Sequence, residues 1–272
     1  MLIIGIGTAG CNIAKLFKVH EQYHVELLDE GKGIKKQSTV EEYDSINYKP
    51  RKKVIKDASE GILFVCGSGK VAGATLRVLE ALRHVKMQLV YLCPDLEYSS
   101  NDEQLRHRVH FNILQEFTRS GLVHEMLLID NKKLIDITGH GTIYNYYDKT
   151  NQYIYTAIHT LNYCKNVKPE FSSPHKPKEI SRITTIGHGL LEKNEEKLFF
   201  PLDNITETGY IININEEELA NDISILPNVK AMAKQSKDLE RETSFAIWST
   251  EEDESYYYTK HYTHFIQEIN DE

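Results

Sequence analysis

The chain has 272 residues, 40% hydrophobic and 26% charged, with 32 basic side chains against 40 acidic ones. That is apolar material enough for one large domain or two modest ones. A formal net charge of −8 argues against a nucleic-acid partner, which needs a concentrated positive surface. No apolar run approaches the roughly 18 residues of a membrane-spanning helix. The opening MLIIGIGTAGCNIAKLF places glycines where a secretory leader would be apolar. Cys11, Cys66, Cys93 and Cys164 lie far apart with no CxxC pair, which fits a reducing cytosol and gives neither a disulfide framework nor a zinc site. A cytoplasmic protein without a membrane partner is expected.

Met1–Gly5 reads as a buried strand and Asn12–Phe17 as a helix start. Tyr23–Leu28 reads as a second strand, and the polar stretch Lys32–Lys56 as loop with a short helix. Gly61–Cys66 is a third strand. Gly73–His84 carries Leu76, Leu79 and Leu82 at helical spacing. Gln88–Cys93 predicts a strand, Leu105–Ser120 a helix and Met126–Ile129 a strand. Strands alternating with helices predict an α/β fold with a doubly wound parallel sheet. Tyr144–Cys164 predicts a long helix, and Lys168–Lys178, with three prolines, a loop. Ile180–Glu192 reads as helical or mixed, broken at Gly187–Gly189. Then come a strand at Thr208–Asn213 and a helix at Glu216–Lys234, split or ended early by Pro227. Strands at Ser244–Ser249 and Tyr256–Phe265 close the chain. The expected division is a first α/β domain over 1–143, a long helix over 144–170 and a smaller α/β domain with a mixed sheet over 171–272.

Two glycine motifs sit at strand-to-helix junctions. Gly5-Ile6-Gly7-Thr8-Ala9-Gly10 has the context of a dinucleotide fingerprint, in which small residues admit a phosphate to a helix N-terminus. Its alternative is a tight turn without a ligand. Gly67-Ser68-Gly69-Lys70-Val71-Ala72-Gly73 is no Walker A loop, because Val71 follows the lysine where a hydroxyl should hold magnesium. A nicotinamide site needs no second glycine loop; a nucleotide with two or three phosphates uses both. The nicotinamide reading keeps one further support, Asp29 or Glu30 downstream of the first motif.

The order of these pieces resembles the FtsZ/tubulin superfamily of polymerising GTPases. GIGTAGCN is similar to its opening GxGxxGxN, and FVCGSGKVAGATLRVLEAL to its GGGTGTG phosphate loop and following helix. LLIDNKKLIDI, TNQYIYTAIHTLN and YIININEEELANDIS are similar to later segments. The resemblance implies that Gly7, Gly10, Cys11 and Asn12 lie against the nucleotide. Gly67, Ser68 and Gly69 would offer amides to the phosphates. Glu103, with Arg106 or Arg108, would fall in a loop that meets ribose and phosphates, and Asn131 in the family's Pro-Asn-Asp turn. Tyr147 would stack on guanine, or else pack under the sheet, while Asn151 or Gln152 would read the base edge. The implied cofactor is GTP or GDP, with magnesium, or none if turnover is lost. The implied partner is the protein itself, head to tail, in the host cytoplasm or, for a phage-encoded member, in the virion.

Two departures stand out. Lys70-Val71-Ala72-Gly73 replaces Thr-Gly-Thr-Gly, so Val71 crowds a phosphate, and Lys70 either contacts it or fills its place. After the central helix, the family's water-orienting acids are replaced by His175 and Lys178, with Glu170 and Glu179 flanking. Loss of such an acid costs orders of magnitude in rate. The expectation is therefore guanine-nucleotide binding with poor hydrolysis, or a non-catalytic assembly protein. The basic run Lys49–Lys56 reads as a solvated face. His261 and His264 fall on opposite faces of a strand and make no metal site. Glu251–Glu254 reads as a turn, and the family's flexible tail is not expected.

Overall fold

The computed structural model describes residues 1–51, 58–97, 99–139, 146–193, 195–237 and 241–268. Residues 52–56 of the basic run, the expected helix start at Tyr144 and the expected domain limit at 143–144 lie outside them. The chain divides into two compact units, Met1–Tyr155 with Ile266–Glu272, and Thr156–Phe265.

The first unit is built on a parallel sheet. Its strands are β1 (Leu2–Ile6), β2 (His24–Glu30), β3 (Gly33–Ile34), β4 (Glu60–Cys66), β5 (Lys86–Cys93) and β6 (Glu125–Asp130). They pair in the order β3-β2-β1-β4-β5-β6, every pair parallel. All five residues of β1 are buried, as a strand covered by helices on both faces must be. The helices are α1 (Gly7–Leu16), α2 (Val40–Asp44), α3 (Thr75–Ala81, led in by a 3-10 turn at Lys70–Ala74), α4 (Asn101–Arg119) and α5 (Asn131–Thr138). Helix α1 starts at Gly7 rather than Asn12, because the glycine turn is itself the first helical turn.

Backbone proximity explains two glycines of that turn. A Cβ on Gly10 would lie 2.3 Å from the Phe64 carbonyl oxygen of β4, and one on Gly5 would lie 2.5 Å from the Gly10 oxygen. Helix α1 therefore rests directly on the sheet, with Ile13 and Ala14 buried beneath it. Helix α4 buries His107, Phe111, Leu114, Gln115 and Thr118, a single face at helical spacing.

Helix α6 (Tyr146–Asn166) runs from the first unit into the second. The second unit holds β7 (Phe171–Ser172), β8 (Ile183–Leu190), β9 (Lys197–Leu198), β10 (Glu207–Asn215), β11 (Glu242–Thr250) and β12 (Tyr256–Thr263). Its sheet is mixed: β10 and β11 run parallel, and β12 runs antiparallel to both β10 and β8. Helices α7 (Glu216–Asn221) and α8 (Ile225–Lys237) follow β10. Ile225, Val229 and Met232 of α8 pack with Ile212, Ile214, Ile247 and Tyr257.

One expectation is corrected and one is sharpened. Ile180–Glu192 contributes a strand, not a helix. Its glycines are sites of close approach: Gly187 makes room for Thr259 and Glu196, and Gly189 for the Tyr257 hydroxyl. The Glu216–Lys234 helix is split, as expected, but the break falls at Asp222–Ser224 rather than at Pro227, and there Asp222 accepts from the Ser224 amide. Pro227 sits inside the first turn of α8, where no intrahelical N–H bond is required of it.

Gly10→Ala should lower the unfolding free energy by about 2–3 kcal/mol, since backbone rather than a flexible side chain must move. The readout is a fall in denaturant midpoint at unchanged slope. A change below about 0.5 kcal/mol, the range of neutral surface substitutions, would show that α1 does not lie this close to β4.

Candidate functional site

The strand order of the first unit reverses between β1 and β4, and ligand crevices of open parallel sheets lie at such a point, beyond the carboxyl ends of the strands. Both glycine motifs emerge there. Gly7 has φ +68°, a conformation that favours glycine, and a Cβ on it would lie 3.8 Å from Val71 Cβ. The two loops are thus neighbours. Val71 is buried and fills the floor between them. Cys11 is also buried, its thiol donating to the Gly5 carbonyl at 3.3 Å, and burial pushes its pKa up to about 11. Asn12 is exposed and accepts from Lys15 at 3.2 Å. The Thr8 hydroxyl donates to Asp29 at the end of β2, so the acid a nicotinamide site would use is already engaged.

The helix starts at this end of the sheet differ. Ser100 and Glu103 form a capping box on α4, and Asp130 accepts from the Lys132 and Lys133 amides of α5. Those N-termini are satisfied by their own side chains. Helix α1 begins after Ile6 and the 3-10 turn after Gly69, each without a side-chain cap. Neither carries an acid in its first turn. Their amides are the free positive ends of the crevice.

Glu103, Arg106 and Arg108 lie on α4, not in a loop as expected, because the capping box starts the helix at Asn101. Glu103 is held by the Ser100 amide and hydroxyl at 2.9 and 2.8 Å, and these contacts lower its pKa. Arg106 Nε donates to the Ser68 carbonyl at 2.8 Å, and His110 Nδ1 to the Gly67 carbonyl at 2.8 Å. Beneath Gly67 lies the buried Tyr91 hydroxyl, 2.8 Å from His107 Nδ1; a Cβ on Gly67 would meet that hydroxyl at 1.7 Å. Lys70 is exposed and donates to the Ser38 carbonyl at 3.5 Å. Tyr91, His107 and His110 were not singled out by sequence, although His110 follows Arg106 by one helical turn.

Asn131 opens α5 directly after its Asp130 cap. Tyr147 is 64% exposed, which removes the packing alternative for it. Tyr147 and Asn151 are four apart on α6 and share a face; Gln152 is exposed and Asn151 partly so. Farther along α6, the ring of Tyr155 packs on Phe17 at 4.9 Å, just after α1.

The loop after α6 differs from expectation. His175 is not presented outward. Its Nε2 donates to Glu207 at 3.1 Å, and its Nδ1 lies 2.9 Å from the Ser244 hydroxyl. Gly209 makes room for the ring, since a Cβ there would lie 2.6 Å from His175 Cβ. Glu207 is fully buried and also accepts from the Ser181 hydroxyl and the Lys178 amide. The Lys178 ammonium pairs with Glu242 at 2.6 Å. Glu170 and Glu179 are exposed at the ends of this loop. Glu207 was not legible beforehand: a glutamate between two threonines near a strand end reads as solvated. A second set joins the buried His261 to Glu196 at 2.9 Å and to the buried Thr208 at 2.9 Å. Among the described residues no group of three His, Cys, Asp or Glu could hold a metal ion, and no helix is long and apolar enough to cross a membrane.

No protein-family model and no curated protein matches the chain. Solved structures do. The GTPγS-form protofilament of Bacillus thuringiensis serovar israelensis TubZ superposes with TM-score 0.70 at 15% identity, over 96% of this chain and 86% of that one. The empty FtsZ dimer of M. jannaschii gives 0.68 at 12% identity, over 96% and 87%. CetZ from Methanosaeta thermophila gives 0.67 at 12%, over 97% and 86%. The fold is that of the tubulin/FtsZ superfamily, as the sequence resemblance implied.

Burial pushes the Glu207 pKa up, but its bonds from Ser181, Lys178 and His175 outweigh this and hold it below the ordinary value of 4.5. A carboxyl depressed in the fold adds stability above its ordinary value, and that stability is lost as pH falls below 4.5. Glu207→Gln should cost about 2–4 kcal/mol at pH 7, since a donor then faces donors in a buried site. The gap to wild type should narrow below pH 4. Parallel stability curves from pH 7 to 3 would refute the assignment.

Proposed function

We propose that this protein self-assembles head to tail and binds a guanine nucleotide at the crevice between the α1 turn and the Gly67–Gly73 loop, with slow hydrolysis. The observation that carries the reading is the pair of uncapped, acid-free N-termini at the point where the strand order reverses. Gly7 and Asn12 line the first loop, with Gly10 beneath it against β4, and Gly67, Ser68, Gly69 and Lys70 line the second, which suits a phosphate chain. Tyr147, with Asn151 or Gln152, offers an exposed aromatic and an amide for the base. The bound nucleotide with its magnesium would supply a polarised γ-phosphate; the chain's own contribution is to hold the charge. Assembly is supported by the solved relatives in this fold, which include TubZ in GTPγS-form and GDP-form protofilaments and in two- and four-stranded filaments. A head-to-tail contact is heterologous and builds open filaments.

Slow hydrolysis follows from the loop after α6. His175 is taken by Glu207 and Ser244, and Lys178 by Glu242, so neither is available to orient a water. The remaining carboxylates are Glu170 and Glu179. An aspartate at 175 would face the Glu207 carboxylate, so acid placed there would loosen the loop rather than restore turnover. The same observation favours a second reading, an assembly protein that keeps the fold without turning nucleotide over.

Equilibrium binding should favour GTP and GDP over ATP by at least about tenfold, or 1.4 kcal/mol, and protein denatured after purification should release guanine nucleotide on ion exchange. Absence of guanine binding at millimolar concentration would remove the nucleotide and leave assembly alone. Light scattering should rise with protein concentration, while phosphate release stays slow and falls further in Glu170→Gln or Glu179→Gln. Brisk, concentration-dependent release by wild type would overturn the slow-hydrolysis reading.

A further inference from the structure

We infer that Arg106 and His110 are positioning residues for phosphate: they grip two consecutive carbonyls of the Gly67–Gly73 loop and thereby fix its backbone, with the Ser68 amide turned onto Cys66 and the Gly69 amide left open away from α4. This deepens the nucleotide reading above and rests on it. The two side chains are four apart, on one face of α4. They donate to the adjacent carbonyls of Ser68 and Gly67, both at 2.8 Å. All peptide bonds in the described residues are trans, and in a planar trans peptide the N–H points opposite to its C=O. Holding the Gly67 oxygen toward α4 turns the Ser68 N–H away, where it meets the Cys66 sulfur. Holding the Ser68 oxygen toward α4 turns the Gly69 N–H away from the helix. Gly69 is exposed, and a Cβ on it would find only the Cys66 oxygen, at 3.8 Å. Its amide opens the uncapped 3-10 turn.

A carbonyl only accepts, so His110 Nδ1 carries the proton. Burial lowers the His110 pKa, which keeps the ring neutral and fixes that tautomer. The approach of the loop to α4 needs glycine at 67, because the Tyr91 hydroxyl, itself bonded to His107 of α4, occupies the place a Cβ would take. Arg106 therefore reaches a phosphate through the backbone that its Nε holds.

The test compares GDP with guanosine, which lacks phosphate, on wild type, Arg106→Ala, His110→Ala and His110→Asn. Arg106→Ala and His110→Ala should each weaken GDP binding about tenfold, the worth of one strong hydrogen bond. Guanosine affinity should be unchanged. His110→Asn, whose amide donates from nearly the place of Nδ1, should recover most of the GDP affinity. Parallel losses for GDP and guanosine, or no loss for either, would overturn the inference. If wild type binds no guanine nucleotide, the nucleotide reading fails, and the amide resonances of the labelled protein decide the positioning. Shifts at Ser68 and Gly69 in Arg106→Ala, at an unchanged melting temperature, would sustain it; unmoved resonances would overturn it.

Discussion

Helix α1 lies on β1 and β4 with no side chain between them at Gly5 and Gly10, and the rest of the first unit is arranged around that approach. A helix separated from a sheet by ordinary side chains stands about 10 Å away. This one is drawn in until Cβ atoms at either glycine would collide with backbone. The contact sets where the helix begins. Its first turn then falls at the tip of β1, beside the loop from β4, and Gly7 supplies the left-handed φ that the chain needs to enter the helix there. Dispersion and burial along Ile13 and Ala14 hold the arrangement, but the two absent Cβ atoms permit it.

Four of the described helix starts along the sheet divide their hydrogen-bonding capacity in two ways. Helices α4 and α5 spend theirs internally, on Glu103 with Ser100 and on Asp130, and each such cap is worth about 1 kcal/mol. Helix α1 and the 3-10 turn at Lys70 forgo that stabilisation. Uncapped starts that are flanked by glycine and free of acids keep their dipoles for an anion. Helix α4 has a double character. Its inner face holds polar atoms against the glycine loop, and its outer face exposes Leu105, Val109, Ile113 and Phe117, where a solvated helix would carry charge.

The parallel sheet was legible because β1, β4, β5 and β6 are unbroken apolar runs, and the crevice because glycines interrupt the chain directly after two of them. The start of α4 was misplaced at Leu105, because the apolar periodicity that begins there overshadowed Ser100 and Glu103, which have the spacing of a capping box. Strand β8 was not. Its glycines read as breaks, and only the side chains of Tyr257, Thr259 and Glu196, distant in sequence, show that they are clearances. The network at Glu207 was invisible for a similar reason. His175, Ser181, Glu207 and Ser244 are brought together by sheet pairing, and nothing local to any of them announces burial. Charge at positions 175 and 178 was read correctly as basic, but the direction of the side chains depends on a partner that sequence does not place.

One buried amide has a consequence for synthesis. Gln115 of α4 is fully buried, and its side chain donates to the Gln267 carbonyl at 3.0 Å and accepts from the Gln267 amide at 2.7 Å. The two residues are 152 apart, and the whole second unit lies between them. At ribosomal rates of about 5–20 residues per second, roughly 8–30 s separate the emergence of the two. Throughout that interval the first unit holds an amide with its lasting partner not yet made. An N-terminal half released early, by a truncated message or a stalled ribosome, would lack this clasp altogether and leave the Gln115 amide without its backbone partner.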